Sequence, residues 1–137
     1  NIKPMIKKMQ ISVDAGNELS YNKVRVGGNW QKLLENLKFI ATLNLPITLN
    51  IVVQKDNYES FPQLVKLAND LNNLGTSTFM IYANKINKWK HMDDKEYESK
   101  AVWRKAHTDY EKFINIFKGD TNTSVEINYG SLAKHIK

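Results

Sequence analysis

Two stretches decide the fold: residues 11–40, ISVDAGNELSYNKVRVGGNWQKLLENLKFI, and residues 49–68, LNIVVQKDNYESFPQLVKLA. Each opens on a short apolar run rich in β-branched residues and closes on apolar residues at helical spacing. Each therefore predicts a strand followed by a helix. Asn29 is suited to cap the first helix, and Asp56 or Asn57 to cap the second.

The same alternation continues to the end of the chain. Gly75 stands where a helix would end, and Asp93 with Glu96 has the spacing of a capping box. The predicted strands are residues 9–13, 47–54, 78–83 and 124–128, and the predicted helices are residues 30–41, 57–74, 93–102 and 108–117. Connections of this length predict parallel strands with right-handed crossovers. The order β-α-β-α-β-α-β indicates an α/β fold, either a small doubly wound sheet or a partial (β/α) barrel.

In both architectures, ligands bind at the carboxyl ends of the strands. Here those ends are residues 14–17, 54–57, 83–89 and 128–130, which are mostly polar. They include the one basic and aromatic cluster of the chain, formed by Lys85, Lys88, Trp89, Lys90 and His91. Such a cluster has the residue types to bind phosphates and stack on a base. A solvated loop with its tryptophan folded back on the core is the commoner outcome.

Composition limits the classes of protein. The 137 residues, 42% of them hydrophobic and 25% charged, predict one globular domain spanning residues 1–137. The chain has no cysteine, which excludes disulfides and thiolate metal sites. No apolar run approaches the ~18 residues of a membrane span, and no signal peptide opens the sequence. The cytoplasm is therefore the expected compartment.

The net charge is +6, from 18 lysines and two arginines against 14 carboxylates. A basic protein can bind nucleic acid, but these lysines are scattered along the whole chain. The scatter favours a solvated surface over a nucleic-acid site.

Several motifs between residues 9 and 110 also stand in a characteristic order. They are Ser12-Val13-Asp14-Ala15, Tyr21, Arg25, Gly27-Gly28 and Trp30, then the run at 49–53, Asn57, and the segment 79–89. This order resembles the fourth to sixth strands of radical S-adenosylmethionine enzymes with an accessory SPASM or twitch region. In that family the fourth strand ends in Ser-x-Asp-Gly or Ser-x-Asp-Ala, and a Tyr or His, an Arg, a Gly and an aromatic residue follow. The resemblance selects the barrel over the doubly wound sheet.

The resemblance implies a cofactor and its contacts. Ser12 and Arg25 would hold the methionyl carboxylate and the ribose of S-adenosylmethionine, because a guanidinium makes a bidentate pair with a carboxylate that lysine cannot copy. The fifth and sixth strands would line the adenine through Val53 and through Tyr82 or its neighbour Ile81. The candidate cofactor-binding residues are Ser12, Asp14, Arg25, Val53, Asn57 and Tyr82.

Each of these assignments has a structural alternative. Ser12 would instead bond the backbone of its own strand, and Arg25 would form a surface salt bridge. Asp14 is better explained as the cap of the turn through residues 16–17 than as a base. We interpret Trp30 as core packing.

The chain departs from the family at the cluster. Members hold a 4Fe–4S cluster on a CxxxCxxC loop, and a chain without cysteine has no thiolate for it. The Gly-Gly-Glu stretch that grips the cofactor's amino group is also absent. Since the sequence opens on Asn1 rather than Met, we expect a segment of a longer parent enzyme that lacks the amino-terminal half of the barrel.

The parent would cleave S-adenosylmethionine reductively to a 5′-deoxyadenosyl radical that abstracts hydrogen from a substrate, and the segment alone would be inactive. Half a barrel also predicts association, because Asn50, Val52 and Met80 would face the missing half and strand edges would lie open. We expect a homodimer joined through the sheet edge or the inner face. The rival hypothesis is a free-standing α/β module that binds a nucleotide or nucleic acid through the loop at 85–91.

Overall fold

The computed structural model describes residues 7–119 and 123–136. At its centre is a four-stranded sheet whose strands lie side by side in chain order: β1 (Met9–Ser12), β2 (Pro46–Val53), β3 (Thr78–Lys85) and β4 (Ile127–Asn128). The helices are α1 (Glu18–Val24), α2 (Trp30–Ile40), α3 (Phe61–Leu74), α4 (Asp94–Lys100), α5 (Tyr110–Lys118) and α6 (Ala133–Ile136). Short 3-10 turns span Tyr58–Ser60 and Gly130–Leu132.

All three strand pairs are parallel. Met9 pairs with Ile47, and Ile47 pairs in turn with Phe79. The pairing of β3 with β4 is short, and Ile127 lies opposite Ile81. The α/β class and the parallel pairing of the first three strands are thus confirmed. The last strand is shorter than predicted.

In the described part of the chain, helices cover one face of the sheet only. Alternate residues of β2 and β3 are buried in a single apolar core with the helices: Ile47, Leu49, Ile51, Val53, Phe79, Ile81 and Ala83. The residues between them are half-exposed or exposed: Thr48, Asn50, Val52, Met80, Tyr82 and Asn84. Since side chains alternate across a strand, the helix layer covers one face and the second is open. Purely parallel sheets are usually covered on both faces, so this open face sets the chain apart.

The helix layer packs onto the covered face through apolar stripes. Leu37 of α2 and Leu64 of α3 are fully buried. Phe61 and Phe117 join α3 to α5, with ring centroids 4.4 Å apart. Trp30 is only 8% exposed, as its interpretation as core packing requires. Among the described residues, no helix has the length and apolar character to cross a membrane.

Capping residues set where several helices begin. The Asn29 side chain accepts from the Lys32 amide, and the Asp93 side chain accepts from the Glu96 amide, so these two predicted caps are confirmed. The predicted cap at Asp56 or Asn57 was wrong, because α3 begins at Phe61, after a 3-10 turn. Helix α1 was not predicted. Asn17 caps it, but none of its residues is buried, so it carries no apolar stripe for a pattern to reveal.

A substitution of Asn72 tests how α3 holds the start of β3. Its side chain donates to the Phe79 carbonyl at 3.2 Å and accepts from the Phe79 amide at 2.6 Å. Asn72→Ala should lower the free energy of unfolding by about 1–3 kcal/mol, because both backbone groups lose their partner. Asn73→Ala removes an exposed neighbour and should change it by less than about 0.5 kcal/mol. Urea denaturation measures both, and equal effects would contradict the role of Asn72.

Candidate functional site

The carboxyl ends of β1, β2 and β3 meet at one edge of the sheet. They surround a cavity of about 290 Å³, which we call the carboxyl-edge cavity. It is lined by Asp14, Val24, Arg25, Val52, Gln54, Asn57, Ile86 and Trp89. The structure thus brings three of the predicted cofactor-binding residues, Asp14, Arg25 and Asn57, to one cavity.

Asp14 ties the end of β1 to β2. Its backbone is left-handed, with φ 62°, a conformation that non-glycine residues seldom adopt. Its Oδ1 accepts from the Val52 amide at 2.9 Å, and its Oδ2 accepts from Arg25. The predicted role of Asp14 as cap of the turn at residues 16–17 was wrong. Its carboxylate serves β2 and Arg25, and Asn17 caps α1 instead.

Arg25 forms the salt bridge that was one of its two interpretations. Its Nη2 and Nε donate to the same Asp14 oxygen at 2.7 and 3.1 Å. The side chain is 42% exposed, and its Nη1 has no partner in the described part of the chain. The ion pair therefore fixes the guanidinium at the cavity wall and leaves one amino group for a ligand.

The buried amide of Asn57 joins the loops that follow β1 and β2. Its Nδ2 donates to the carbonyls of Asp14 at 2.9 Å and Val52 at 2.8 Å, and its Oδ1 accepts from the Gln54 amide at 2.8 Å. Asn57 is only 1% exposed. Because all three bonds go to backbone, its role is to hold the cavity wall and not to bind a ligand directly.

A second contact locks the same two loops. The Gly16 amide donates to Ser60 Oγ at 2.9 Å, and Ser60 Oγ donates to the Asn57 carbonyl at 2.8 Å. A Cβ on Gly16 would lie 2.0 Å from the Ser60 carbonyl oxygen and 2.4 Å from the Leu64 amide nitrogen. The loop after β1 can therefore approach α3 this closely only with glycine at position 16.

A row of polar residues crosses the open face next to the cavity. Ser12 lies opposite Asn50, Asn50 opposite Tyr82, and Tyr82 opposite Asn128. The Ser12 side chain is exposed, and its hydroxyl has no partner among the described residues, so the alternative of a backbone bond is not observed. Ser12 and Tyr82, two of the predicted binding residues, thus share this face with the carboxyl-edge cavity beside them.

The predicted role of Val53, to line the adenine, was wrong. Its side chain is fully buried in the core on the helix side of β2, so it cannot line an adenine on the open face. Val52 points the other way, is 40% exposed and lines the cavity. The error is one residue, which in a strand is the difference between the two faces. Ile81, the alternative to Tyr82, is buried in the same core.

For Trp89, the commoner outcome for such a loop is a ring folded back on the core. The structure instead leaves it 61% exposed at the cavity. Two neighbours hold its loop: Lys88 pairs with Asp94, and Ile86 is fully buried. The loop thus presents a large aromatic face beside Val52.

A larger cavity, of about 640 Å³, lies between α3 and α5 in the helix layer. Its lining includes Lys66, which pairs with Asp70 at 2.8 Å, and otherwise only uncharged residues. Because it gathers neither free charges nor strand ends, we place the functional site at the carboxyl edge.

The residues do not fit an iron–sulfur cluster. The full sequence has no cysteine, and the described residues contain no group of three or more His, Asp or Glu side chains that could hold a metal ion. S-adenosylmethionine places different demands on a site. An exposed hydroxyl, a fixed guanidinium and an exposed aromatic ring are residue types that suit a carboxylate, a ribose and an adenine.

Comparisons with protein-family models, with curated proteins and with solved structures found no match for this chain. The family interpretation therefore rests on the quoted motifs and on the chemistry of the carboxyl edge.

Asn57 provides a test of how the edge is held together. Asn57→Ala should lower the free energy of unfolding by about 3 kcal/mol or more, because three buried backbone groups lose a partner. Asn57→Asp keeps the shape but sets an oxygen against two carbonyls, so it should also destabilise. The control is Asn87→Ala, which alters an exposed residue and should leave the urea midpoint unchanged. An Asn57→Asp variant as stable as the native chain would contradict the assigned bonds.

Proposed function

We propose that this chain is the carboxyl-terminal part of a radical S-adenosylmethionine barrel and supplies one wall of the cofactor site. The observation that carries the proposal is the open polar face of an all-parallel sheet, with Ser12 and Arg25 at its carboxyl edge. When bound to a complete enzyme with its cluster, S-adenosylmethionine supplies a 5′-deoxyadenosyl radical that abstracts hydrogen from a substrate. This chain has no ligands for the cluster, so no step of that chemistry is assigned to its residues.

The strand order supports a partial barrel over a doubly wound sheet. A doubly wound sheet reverses its strand order, and helices then cover both faces. Here the order follows the chain from β1 to β4 without reversal. Right-handed crossovers in a constant direction place the connecting helices on one side, as in a (β/α) barrel. The open face would then be part of the barrel interior.

The residues of the edge have distinct tasks in this proposal. Arg25 Nη1 and the Ser12 hydroxyl bind the methionyl carboxylate and the ribose, while Asp14 orients the guanidinium. Val52 and Trp89 take the place of Val53 as the apolar surface for the adenine, with Tyr82 beyond them. The cavity, about 290 Å³, is slightly smaller than the range of about 300–1,000 Å³ for ligand pockets. A small volume is expected if a second wall completes the site.

A second candidate function is a free-standing α/β module that binds a nucleotide or nucleic acid. The exposed ring of Trp89 favours it, because a base can stack on an exposed indole. Against a nucleic-acid strand, two lysines of this edge are already paired with carboxylates, Lys88 with Asp94 and Lys100 with Asp56.

Binding without cleavage is the first functional prediction. S-adenosylmethionine should bind weakly in calorimetry, and under reducing conditions the protein should release no 5′-deoxyadenosine above a protein-free control. Arg25→Lys should weaken binding by about 1–3 kcal/mol, because one charge-assisted hydrogen bond is lost. Arg104→Lys makes the same exchange at the other arginine and should leave affinity unchanged.

Three results would overturn this proposal: cleavage of S-adenosylmethionine, equal effects of the two arginine variants, or no binding at millimolar ligand. A nucleoside triphosphate that binds more tightly than S-adenosylmethionine, and loses affinity in Trp89→Ala, would favour the second candidate.

We also propose that the isolated chain associates as a homodimer through its open face or its β1 edge. The open face is more polar than the sequence suggested, with Met80 and Val52 as its apolar members on β2 and β3. The edge of β1, which has no neighbouring strand among the described residues, is therefore the stronger driving element. Light scattering after size exclusion should give twice the 15.9-kDa chain mass.

Charge on the open face tests which surface is used. If the open face forms the two-fold interface, Thr48→Lys brings like charges together and should shift the dimer to monomer; if the β1 edge forms it, the dimer should persist. Gln31→Lys adds the same charge on an exposed position of α2 and should leave the dimer intact in either case. A native chain that stays monomeric at micromolar concentrations would contradict the proposal.

A further inference from the structure

One nearly buried amide in the wall of the carboxyl-edge cavity has an unused donor. Gln54 lines the cavity and is only 9% exposed. Its Oε1 accepts from Lys100 Nζ at 3.2 Å, whereas its Nε2 has no partner in the described part of the chain. That nitrogen is not sealed in the core, because within residues 7–119 and 123–136 only His135 Nε2 is a fully buried side-chain nitrogen or oxygen without a partner. The Gln54 NH₂ group is therefore open to the cavity that the residue lines.

Lys100 decides which end of the Gln54 amide faces the cavity. An ammonium group has donors but no acceptor, so only the amide oxygen can bond to it. The Lys100 side chain is 22% exposed, and its Nζ also lies 3.7 Å from Asp56 Oδ2. Its backbone carbonyl accepts from the Lys55 amide at 3.1 Å, which ties the end of α4 to the loop after β2. The oxygen of Gln54 is thus kept on Lys100, and the NH₂ group is left for the cavity.

The other free polar atoms of the lining side chains are donors as well. Arg25 Nη1 and Trp89 Nε1 have no partner among the described residues, and neither group can accept a hydrogen bond. Every side-chain oxygen of the lining already accepts one: both oxygens of Asp14, Oδ1 of Asn57 and Oε1 of Gln54. Asn57 also fixes the relation between the two walls, because it bonds the Asp14 carbonyl at 2.9 Å and the Gln54 amide at 2.8 Å. The cavity therefore offers a ligand donors in preference to acceptors.

We infer that Gln54 determines the specificity of the carboxyl-edge cavity, with Lys100 as its positioning residue, and that the cavity selects a carboxylate over the matching amide. A carboxylate presents only acceptors, so it can bond to Arg25 Nη1 and Gln54 Nε2 together. A carboxamide would set its own NH₂ group against one of these donors. The chain of the ligand is apolar where it meets Val52 and Trp89. Which carboxylate occupies the cavity in a barrel rests on the proposed function; the preference itself does not.

The test compares hexanoate with hexanamide, which share one apolar chain and differ only at the polar end. Each is titrated into the full chain at constant ionic strength, without S-adenosylmethionine, and backbone amide shifts are followed by NMR. Hexanoate should cause saturable shifts at Gln54 and Trp89. Hexanamide should bind about tenfold more weakly, as for the loss of one charge-assisted hydrogen bond. Equal affinity for the two probes, or no saturable shifts with hexanoate, would overturn the inference.

A pair of glutamine variants isolates the donor. Gln54→Glu keeps an oxygen for Lys100 but removes the NH₂ group, so hexanoate affinity should fall about tenfold or more. Gln63→Glu is the matched control. Gln63 is exposed and lies outside the cavity lining, and its Oε1 likewise accepts a hydrogen bond, from Asn17 Nδ2 at 2.6 Å. Hexanoate affinity should be unchanged in this control, and equal losses in the two variants would contradict the role of Gln54.

The ratio of the two affinities tests the positioning role of Lys100. Lys100→Met frees the Gln54 amide to turn over, so the preference for hexanoate over hexanamide should disappear. Lys100→Arg keeps a donor for the Gln54 oxygen and should retain the preference. If Lys100 were merely structural, Lys100→Met would weaken both probes equally, and an unchanged ratio would overturn its positioning role.

Competition identifies the source of the carboxylate. If S-adenosylmethionine displaces hexanoate, its methionyl group is the occupant and the inference is supported together with the proposed function. If hexanoate binds with the expected preference and S-adenosylmethionine does not displace it, the cavity belongs to a separate carboxylic acid. The second result would support the role of Gln54 and contradict the proposed function alone.

Discussion

The carboxyl edge depends on one buried side chain, the amide of Asn57. Its three bonds to backbone hold the end of β1, the end of β2 and the turn into α3 in a fixed relation. Asp14 can keep its left-handed backbone because Asn57 binds its carbonyl while the Val52 amide binds its carboxylate. That carboxylate in turn positions Arg25. Because the buried Asn57 amide has its oxygen and both of its donor hydrogens bonded, it holds this part of the cavity wall in one arrangement.

Whether a segment forms a helix or a strand was predictable where its apolar residues pack into the core. The β-branched run of β2 and the apolar stripe of α3 are both buried, and both were predicted. Helix α1 has no buried residue, so periodicity carried no information about it. Only its cap, Asn17, left a local signal. The choice of Val53 failed for a different reason. The phase of β2, with Asn50 and Val52 on the open face, was predicted correctly, whereas Val53 was assigned through the family resemblance and lies one residue out of that phase, on the opposite face.

The roles of polar residues were less predictable than their positions. Asp14 and Asn57 were placed correctly at one edge, since parallel strands end together, whereas Arg25 was assigned to the site only through the family resemblance. Their bonding partners follow from loop geometry that no spacing rule encodes. Asp14 reaches Val52 across the strand pair, 38 positions along the chain. Arg25 was considered as ligand contact or salt bridge, and the ion pair with Asp14 shows why the two readings are compatible. One Asp14 oxygen accepts from two of the Arg25 nitrogens, and the third has no partner among the described residues.

The open face follows from how the chain winds. When strands are added in one direction by right-handed crossovers, every connecting helix falls on the same side of the sheet. Burial on that side is complete for Leu49, Val53 and Ile81, whereas Asn50 and Tyr82 remain accessible opposite them. Polar side chains on this face keep its exposure to water tolerable, but within residues 7–119 and 123–136 the backbone edge of β1 has no strand on its outer side. The polar face and the edge of β1 both present hydrogen-bonding groups. Whatever covers them must satisfy hydrogen bonds as well as fill space, as further strands of a barrel do and an apolar helix cannot.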